Sequence, residues 1–249
     1  LDFVLHEVGH QFGATHTYAY DPEPFGVSSE PGSGSTIMSY AGFVSGENMQ
    51  RHSDPYFHYH SIQDVESYVD NVSCHSNVNS LNQKPTVNAG EDFYIPKGTA
   101  YYLKANGFDS DNDNLTYCWE QLDSGQVDAS NFGPGLLTGS INRSIPPSEN
   151  EIRNIPNISQ ILNGNLVSSN PTLFSSWETV SNVERTLSWG VTVRDRSESN
   201  PNGMGQVSQD VKKVFVTATA GPFRIISNHS TDFVWKSGSN QKIIWDVAN

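Results

Sequence analysis

The sequence predicts an α+β chain in which a mostly helical and looped N-terminal part precedes an all-β part. Helical patterns of apolar residues occur around residues 1–12 and 53–73. Beyond residue 85 the apolar residues are β-branched or aromatic and stand between turn signals, as in strands. A Ser/Asn-rich stretch separates the two patterns and is predicted to be a linker. The predicted units are residues 1–74, the linker 75–84, a β-sandwich over 85–220, and the truncated start of a further β-module over 221–249.

Composition restricts the possible partners. The chain has 249 residues, with 27 acidic against 14 basic side chains and a formal net charge of −13. Nucleic acids and anionic membranes need basic patches, so neither is an expected partner. No apolar run approaches the ~20 residues of a transmembrane helix. Cys74 and Cys118 are the only cysteines; they could form one disulfide, and a buried free thiol at Cys118 is at least as well supported.

The first helix carries the pattern HExxHxxGxxH. His6 and His10 are four residues apart, which places both imidazoles on one helix face, where they can bind one Zn²⁺. Glu7 is rotated about 100° from His6, so its carboxylate can reach a metal-bound water without being a ligand. Gly13 can end the helix in the left-handed conformation, and His16 then supplies the third nitrogen. This five-position pattern recurs by chance roughly once in a few million positions.

A second segment follows the third histidine after a turn-rich loop. Residues 35–40 read STIMSY, and this order resembles the metzincin metalloproteases, in which the extended zinc motif precedes a methionine-containing turn. The resemblance implies that Met38 forms a hydrophobic floor beneath the histidines. It also implies that Tyr40 lies beside the metal, where it binds the zinc or stabilises the developing oxyanion. Alternatively, Tyr40 forms a wall of the pocket for the residue after the scissile bond.

The branch within the metzincins follows from the flanking residues. Thr17 follows the third histidine, where animal reprolysins carry Asp and astacins carry Glu. Residues 2–5, 41–43 and 53–58 look like those of the secreted bacterial reprolysin-like proteases, although a cysteine commonly stands there in place of Phe43. The resemblance covers about the first 75 residues. It implies a secreted zinc endopeptidase that acts on protein or peptide substrates, with no indication of its oligomeric state.

The resemblance also implies a sheet that precedes the zinc helix. Metzincin substrates pair with an edge strand of that sheet, and this chain starts five residues before His6. We therefore expect a fragment of a longer protein that is inactive alone, with residues 1–75 loosely structured and residues 85–220 folding independently. The apolar residues around the ligands suit a helix buried beneath a cleft, and without the sheet we expect several to be exposed. These residues are Leu1, Phe3, Val4, Leu5, Val8 and Phe12.

After the methionine turn, residues 53–73 are predicted to form a second helix, starting at Ser53 or Asp54. Several histidines occur in or near it. Because three zinc ligands are already assigned, we interpret the remaining ones as polar surface residues and not as a second zinc site. They are His52, His58, His60 and His75.

The β-part is predicted from its strand patterns and from a resemblance. Residues 85–90 and 109–121 resemble Ig-like modules of the polycystic-kidney-disease type, which often follow the catalytic domain of secreted bacterial proteases. A long polar stretch over about 124–184 is predicted to be an insertion. The predicted strands are Thr86–Ile95, Ala100–Ala105, Leu115–Leu122, Leu187–Arg194 and Val211–Thr219.

Three aspartates alternate in one predicted turn of the β-part. Asp109, Asp111 and Asp113 offer carboxylate oxygens that suit Ca²⁺, and Asp195 on a later strand is a further candidate ligand. The alternative is a solvated β-turn in which Asp and Asn cap their own backbone. We favour the turn.

Together these features predict part of a secreted zinc endopeptidase with Glu7 as general base. A hypothesis from another class is a cell-surface or matrix-binding protein whose β-modules carry the function beside an inert protease remnant. The intact Glu7 favours the enzyme, because an inert remnant does not need a carboxylate beside the metal.

Overall fold

A computed structural model describes residues 2–74, 76, 81–195, 204–227 and 234–248. Within these ranges no helix is long and apolar enough to cross a membrane. The helices are α1 (Asp2–Gln11), α2 (Tyr59–Asn71) and α3 (Ile158–Leu162). The strands are β1 (Thr86–Asn88), β2 (Phe93–Pro96), β3 (Tyr101–Lys104), β4 (Asn106–Phe108), β5 (Leu115–Gln121), β6 (Ile152–Ile155), β7 (Arg185–Asp195), β8 (Val207–Thr217), β9 (Arg224–Ile225) and β10 (Trp245–Asp246).

Helix α1 ends in a glycine turn. Gly13 has φ = 84°, a left-handed conformation that side chains with a Cβ rarely adopt. The Gly13 N–H donates to the carbonyl of His10, and the Ala14 N–H donates to that of Gly9 (both 3.0 Å). These two bonds form a Schellman motif. They redirect the chain so that residues 14–16 run back toward the helix.

One face of α1 is uncovered. Four apolar side chains in α1 or directly after it are exposed, as predicted for this chain. Leu5 is half-buried and packs against a small core of Ala14, Ile37 and Met38. Leu1 lies outside the described residues. The exposed side chains are Phe3 (58%), Val4 (63%), Val8 (42%) and Phe12 (44%).

Helix α2 starts later than predicted, because the residues before it are engaged by the methionine turn. The Asp54 N–H donates to the carbonyl of Ser35 (2.7 Å), and the Ile37 N–H donates to that of Tyr56 (3.1 Å). These bonds hold the backbone extended, and the helix begins only at Tyr59.

The N-cap of α2 is a buried histidine, so the surface interpretation of His58 is wrong. Its side chain is fully buried, and Nδ1 accepts from the His60 N–H (3.2 Å). Its Nε2 therefore carries the proton of the neutral ring and lies 3.8 Å from Oε1 of the buried Glu120. Burial lowers the pKa of His58 to about 4. His60 is half-buried, His52 is exposed, and His75 lies outside the described residues.

The β-part is built on a four-stranded sheet of order β2-β8-β7-β5. Strand β2 pairs in parallel with β8, and the other neighbours are antiparallel. The predicted strands at Leu115–Leu122 and Leu187–Arg194 match β5 and β7 closely. The single predicted strand Thr86–Ile95 is wrong, because Gly90 (φ = 77°) turns the chain between β1 and β2.

Two strand pairs, β1–β4 and β3–β6, pack on this sheet. The indole N–H of Trp189 on β7 donates to the hydroxyl of Tyr101 on β3 (3.1 Å), which links the layers at their centre. An Ig-like topology for this part stays a prediction. The shared core contains Ala89, Ile95, Leu103, Ala105, Trp119, Ile155, Leu187, Trp189, Val191, Val193, Val214 and Val216.

The predicted insertion at 124–184 is folded and lies against the N-terminal part. It contains β6 and α3, which the sequence patterns did not predict. The Val127 N–H donates to the carbonyl of Ala19, and the Gly32 N–H donates to that of Val127 (both 2.8 Å). Side chains of both parts form one buried cluster of Ala19, Met49, Val127, Phe132, Ile141 and Trp177.

Among the described residues after Thr217 there is one short antiparallel pair, β9–β10, whose residues are exposed. Both cysteines are free: Cys74 is exposed and Cys118 is buried. They are not joined by a disulfide.

Candidate metal centre

The side chains of His6, His10 and His16 converge on one point. Nε2 of His16 lies 3.2 Å from Nε2 of His6 and 3.2 Å from Nε2 of His10. The first two histidines come from α1, one turn apart. The third arrives from the segment redirected by Gly13.

Hydrogen bonds on the far side of each ring fix its tautomer. Nδ1 of His6 lies 2.7 Å from the carbonyl oxygen of Ile37, and Nδ1 of His10 lies 2.8 Å from that of Ala14. Carbonyl oxygens only accept, so each Nδ1 carries the proton and each Nε2 presents a bare lone pair. Nδ1 of His16 has a corresponding partner in a carboxylate oxygen of Glu23 (2.7 Å).

This donor set fits a zinc ion. With no proton on either nitrogen, Nε2 of His16 cannot hydrogen-bond to Nε2 of His6 or of His10 at 3.2 Å, and the lone pairs repel. At Zn–N distances of about 2.0–2.1 Å, two ligands of a tetrahedral ion are about 3.3–3.4 Å apart. A cation between them therefore matches the spacing and removes the repulsion. Burial lowers the pKa of His6, which favours the neutral form that a metal binds.

Met38 lies directly beneath the zinc helix. It is fully buried, and a Cβ added to Gly9 would lie 2.4 Å from its sulfur. Gly9 stands between His6 and His10 in the sequence, so the methionine sulfur reaches the backbone of α1 between the two ligands. Met38 therefore lies where the resemblance implies a hydrophobic floor beneath the histidines. Its role as that floor stays a prediction.

Glu30, which the sequence patterns did not single out, ties the third ligand to the methionine turn. Its buried carboxylate accepts from the hydroxyls of Thr17 and Thr36 (both 2.6 Å) and from the Ser35 N–H (3.0 Å). The Thr17 N–H also donates to the carbonyl of Met38 (3.1 Å). Thr17 departs from the acidic residue of the animal reprolysins and astacins, and here it serves as a partner of Glu30.

Glu7 and Tyr40 lie beside the histidines. Glu7 is exposed, and its side chain lines a cavity next to His6. The ring of Tyr40 packs against His16 with centroids 4.7 Å apart. Burial raises the pKa of Tyr40, with smaller contributions from the charges of Glu23 and Glu7, so its hydroxyl stays protonated.

The cavity has a volume of about 190 Å³ and opens beside the metal centre. Tyr40 lines it and also packs on a ligand, so its position suits both predicted roles. A side chain of moderate size would fit, and apolar groups dominate the wall. The lining residues are Phe3, His6, Glu7, Ile37, Ser39, Tyr40, Phe43 and Ser53.

The three aspartates of the β-part lie together as predicted, far along the chain from the histidines. Oδ1 of Asp109 accepts from the N–H groups of Asp111 (2.8 Å) and Asp113 (3.1 Å), the pattern of a self-capped turn. Burial raises the pKa of Asp195, with added repulsion from Asp109 and Asp113, so Asp195 is near them. These bonds agree with the turn interpretation, and calcium binding stays a prediction.

Comparison with known proteins gives one match. Residues 1–68 match the family model of the Metallo-peptidase family M12B Reprolysin-like. The matched segment contains all three histidines, Glu7, Met38 and Tyr40. The match supports a zinc-dependent metallopeptidase of the metzincin type in this part of the chain. No curated protein and no solved structure matched the sequence.

Proposed function

We propose that this chain is part of a zinc endopeptidase that hydrolyses peptide bonds in proteins. His6, His10 and His16 would hold the zinc through their Nε2 atoms. The convergence of three unprotonated Nε2 atoms, with that of His16 3.2 Å from each of the other two, supports this assignment most directly.

When bound by these three histidines, zinc would supply Lewis-acid chemistry: a lower pKa for a coordinated water and a polarised peptide carbonyl. Glu7 acts as the general base: its carboxylate accepts a proton from the attacking water and passes it to the leaving amine. Its location beside His6 and at the cavity lining suits this role, because the base must reach the water without competing for the metal.

Tyr40 assists at the scissile carbonyl. Its protonated hydroxyl donates a hydrogen bond to the developing oxyanion, a type of interaction that strengthens as charge develops in the transition state. The adjacent cavity accepts the substrate side chain that follows the scissile bond. Because the resemblance is to secreted proteases, we also propose that the protein acts outside the cell.

Two variants of the full-length protein test the roles. Glu7→Ala should lower casein hydrolysis by about 10²–10⁴-fold and keep one zinc per chain, because Glu7 is a base and not a ligand. His10→Ala should lose zinc and activity together. Gln11→Ala, an exposed neighbour on the same helix, is the matched control and should change neither.

Two results would contradict the proposal. The residue roles are wrong if Glu7→Ala loses zinc while His10→Ala keeps its activity. A wild-type protein that binds zinc and digests no protein substrate would favour the matrix-binding alternative.

A further inference from the structure

We propose that Glu23 is the positioning residue for the third zinc ligand, an inference that rests on the proposed zinc site. Oε2 of Glu23 accepts a hydrogen bond from Nδ1 of His16 (2.7 Å). Its other oxygen, Oε1, accepts from the hydroxyl of Tyr18. The Glu23 carboxylate thus contacts the His16 ring on the side opposite Nε2, and the Tyr18 hydroxyl holds that carboxylate in place.

His16 differs from the other two ligands in what holds it. His6 and His10 donate to backbone carbonyls of Ile37 and Ala14, which the methionine turn and the helix end fix in place. His16 lies beyond the helix in an irregular segment and depends on a side chain for the same purpose. Its tautomer and ring angle are therefore set by Glu23.

The loop that carries Glu23 is closed by backbone bonds. The Val27 N–H donates to the carbonyl of His16 (3.0 Å), and the Gly26 N–H donates to that of Glu23 (3.1 Å). Together they return the chain to the third ligand, so Glu23 faces His16 across a short loop. Its side chain is 44% exposed, and the loop alone does not immobilise it.

Tyr18 restrains the Glu23 carboxylate through its hydroxyl. It is buried, and its ring stacks on Tyr20 with centroids 4.8 Å apart and packs on Tyr40 at 4.6 Å. The hydroxyl that Glu23 accepts from is therefore held by aromatic packing.

Glu23 is not a candidate for the general base. It bonds to Nδ1 of His16, on the opposite side of the ring from the Nε2 that faces the metal position. Its effect on the reaction passes through the histidine: it keeps the proton on Nδ1 and makes the imidazole a stronger ligand.

The test uses the 249-residue chain and two readouts. Heteronuclear NMR of the zinc-free chain reports which nitrogen of His16 carries the proton. Competition against a chromophoric chelator gives the zinc affinity. The variants are Glu23→Ala and Glu23→Gln, and the control is Asp21→Ala, which removes an exposed carboxylate from the same loop.

The wild-type chain should show the proton on Nδ1 of His16. Glu23→Ala should shift it toward Nε2 and weaken zinc binding by about 10–100-fold, the usual effect of losing such a partner. Glu23→Gln should retain most of the affinity, because its amide oxygen still accepts from Nδ1. Asp21→Ala should match the wild type in both readouts.

A wild-type His16 with its proton on Nε2 would overturn the proposal, whether or not each variant folds. So would a folded Glu23→Ala chain with wild-type affinity and tautomer, or a folded Glu23→Gln chain as weak as Glu23→Ala. A wild-type chain that shows the Nδ1 tautomer but binds no zinc would contradict the zinc site and leave the Glu23–His16 contact in place.

Discussion

At the residue scale, the arrangement of the three histidines depends on the side chains that pack against α1 between them. Gly9 lies between His6 and His10 in the sequence. A larger residue does not fit there, because Met38 occupies the space that its side chain would need. A Cβ at Gly9 would meet the Met38 sulfur at 2.4 Å and a ring carbon of Phe57 at 3.1 Å. The helix pattern predicted neither contact, because both partners come from later in the chain.

We expect Gly9→Ala to destabilise the fold. Alanine favours a helix over glycine by about 1 kcal/mol, but overpacking a filled core costs about 1–3 kcal/mol. Met38 is fully buried and has little room to move, so we expect an overlap cost of about 2–3 kcal/mol and a net loss of about 1–2 kcal/mol by urea unfolding. Gly135→Ala, with no atom within 4 Å of the added Cβ, is the control. Equal stability of Gly9→Ala and wild type would show that Met38 does not pack there.

At the element scale, α2 joins the two parts of the molecule through buried polar groups. Its first N–H, from Tyr59, donates to Oε2 of Glu120 on β5 (2.7 Å). His58, the N-cap, faces Oε1 of the same carboxylate. Burial raises the pKa of Glu120 to about 8, although the charge of Arg194 lowers it by a smaller amount. The carboxyl is therefore mostly protonated below pH 8 in the folded protein.

This carboxyl should make stability depend on pH. Because the folded pKa of Glu120 lies above its ordinary value, its contribution is fully present below about 4.5 and is lost as the pH rises through about 8. Between pH 7 and 8 the free energy of unfolding should fall by about 1 kcal/mol relative to Glu120→Gln, because the folded carboxyl itself titrates in this range. His58 and His60 do not interfere, since burial lowers their pKa values to about 4 and their effect lies below about 6.5.

Urea unfolding at several pH values checks this expectation. Glu66→Gln, an exposed change on α2, should keep the wild-type pH dependence, whereas Glu120→Gln should flatten it. Parallel curves for the wild type and Glu120→Gln would mean that Glu120 is ionised in the folded protein across this range.

At the scale of the whole molecule, local patterns were predictable and long-range contacts were not. The spacing of His6, His10 and His16 and the bounds of β5 and β7 follow from periodicity and turn chemistry within short windows. Glu23 and Glu30 gave no such signal, because a carboxylate becomes a partner of His16 or Thr17 only when the loop closes. The burial of His58 was not predicted for the same reason, because the neighbouring carboxyl, Glu120, comes from a distant part of the chain.

The 124–184 segment shows most clearly that local sequence patterns did not predict long-range packing. Its polar composition predicted an insertion, yet Phe132 and Trp177 lie in one cluster with Ala19 and Met49 of the N-terminal part. A few buried side chains in a polar stretch are enough to fix it when their partners come from elsewhere in the chain. The division into independent units stays a prediction, and this cluster contains buried side chains from both sides of the predicted boundary.

Zinc-edge X-ray absorption of the 249-residue chain loaded with one equivalent of zinc tests the central claim most directly. The account predicts three imidazole nitrogens at about 2.0–2.1 Å and one further light atom, with the three-imidazole signal lost in His10→Ala. It would be contradicted by zinc that does not bind stoichiometrically, by a sulfur ligand near 2.3 Å, or by a spectrum that His10→Ala leaves unchanged.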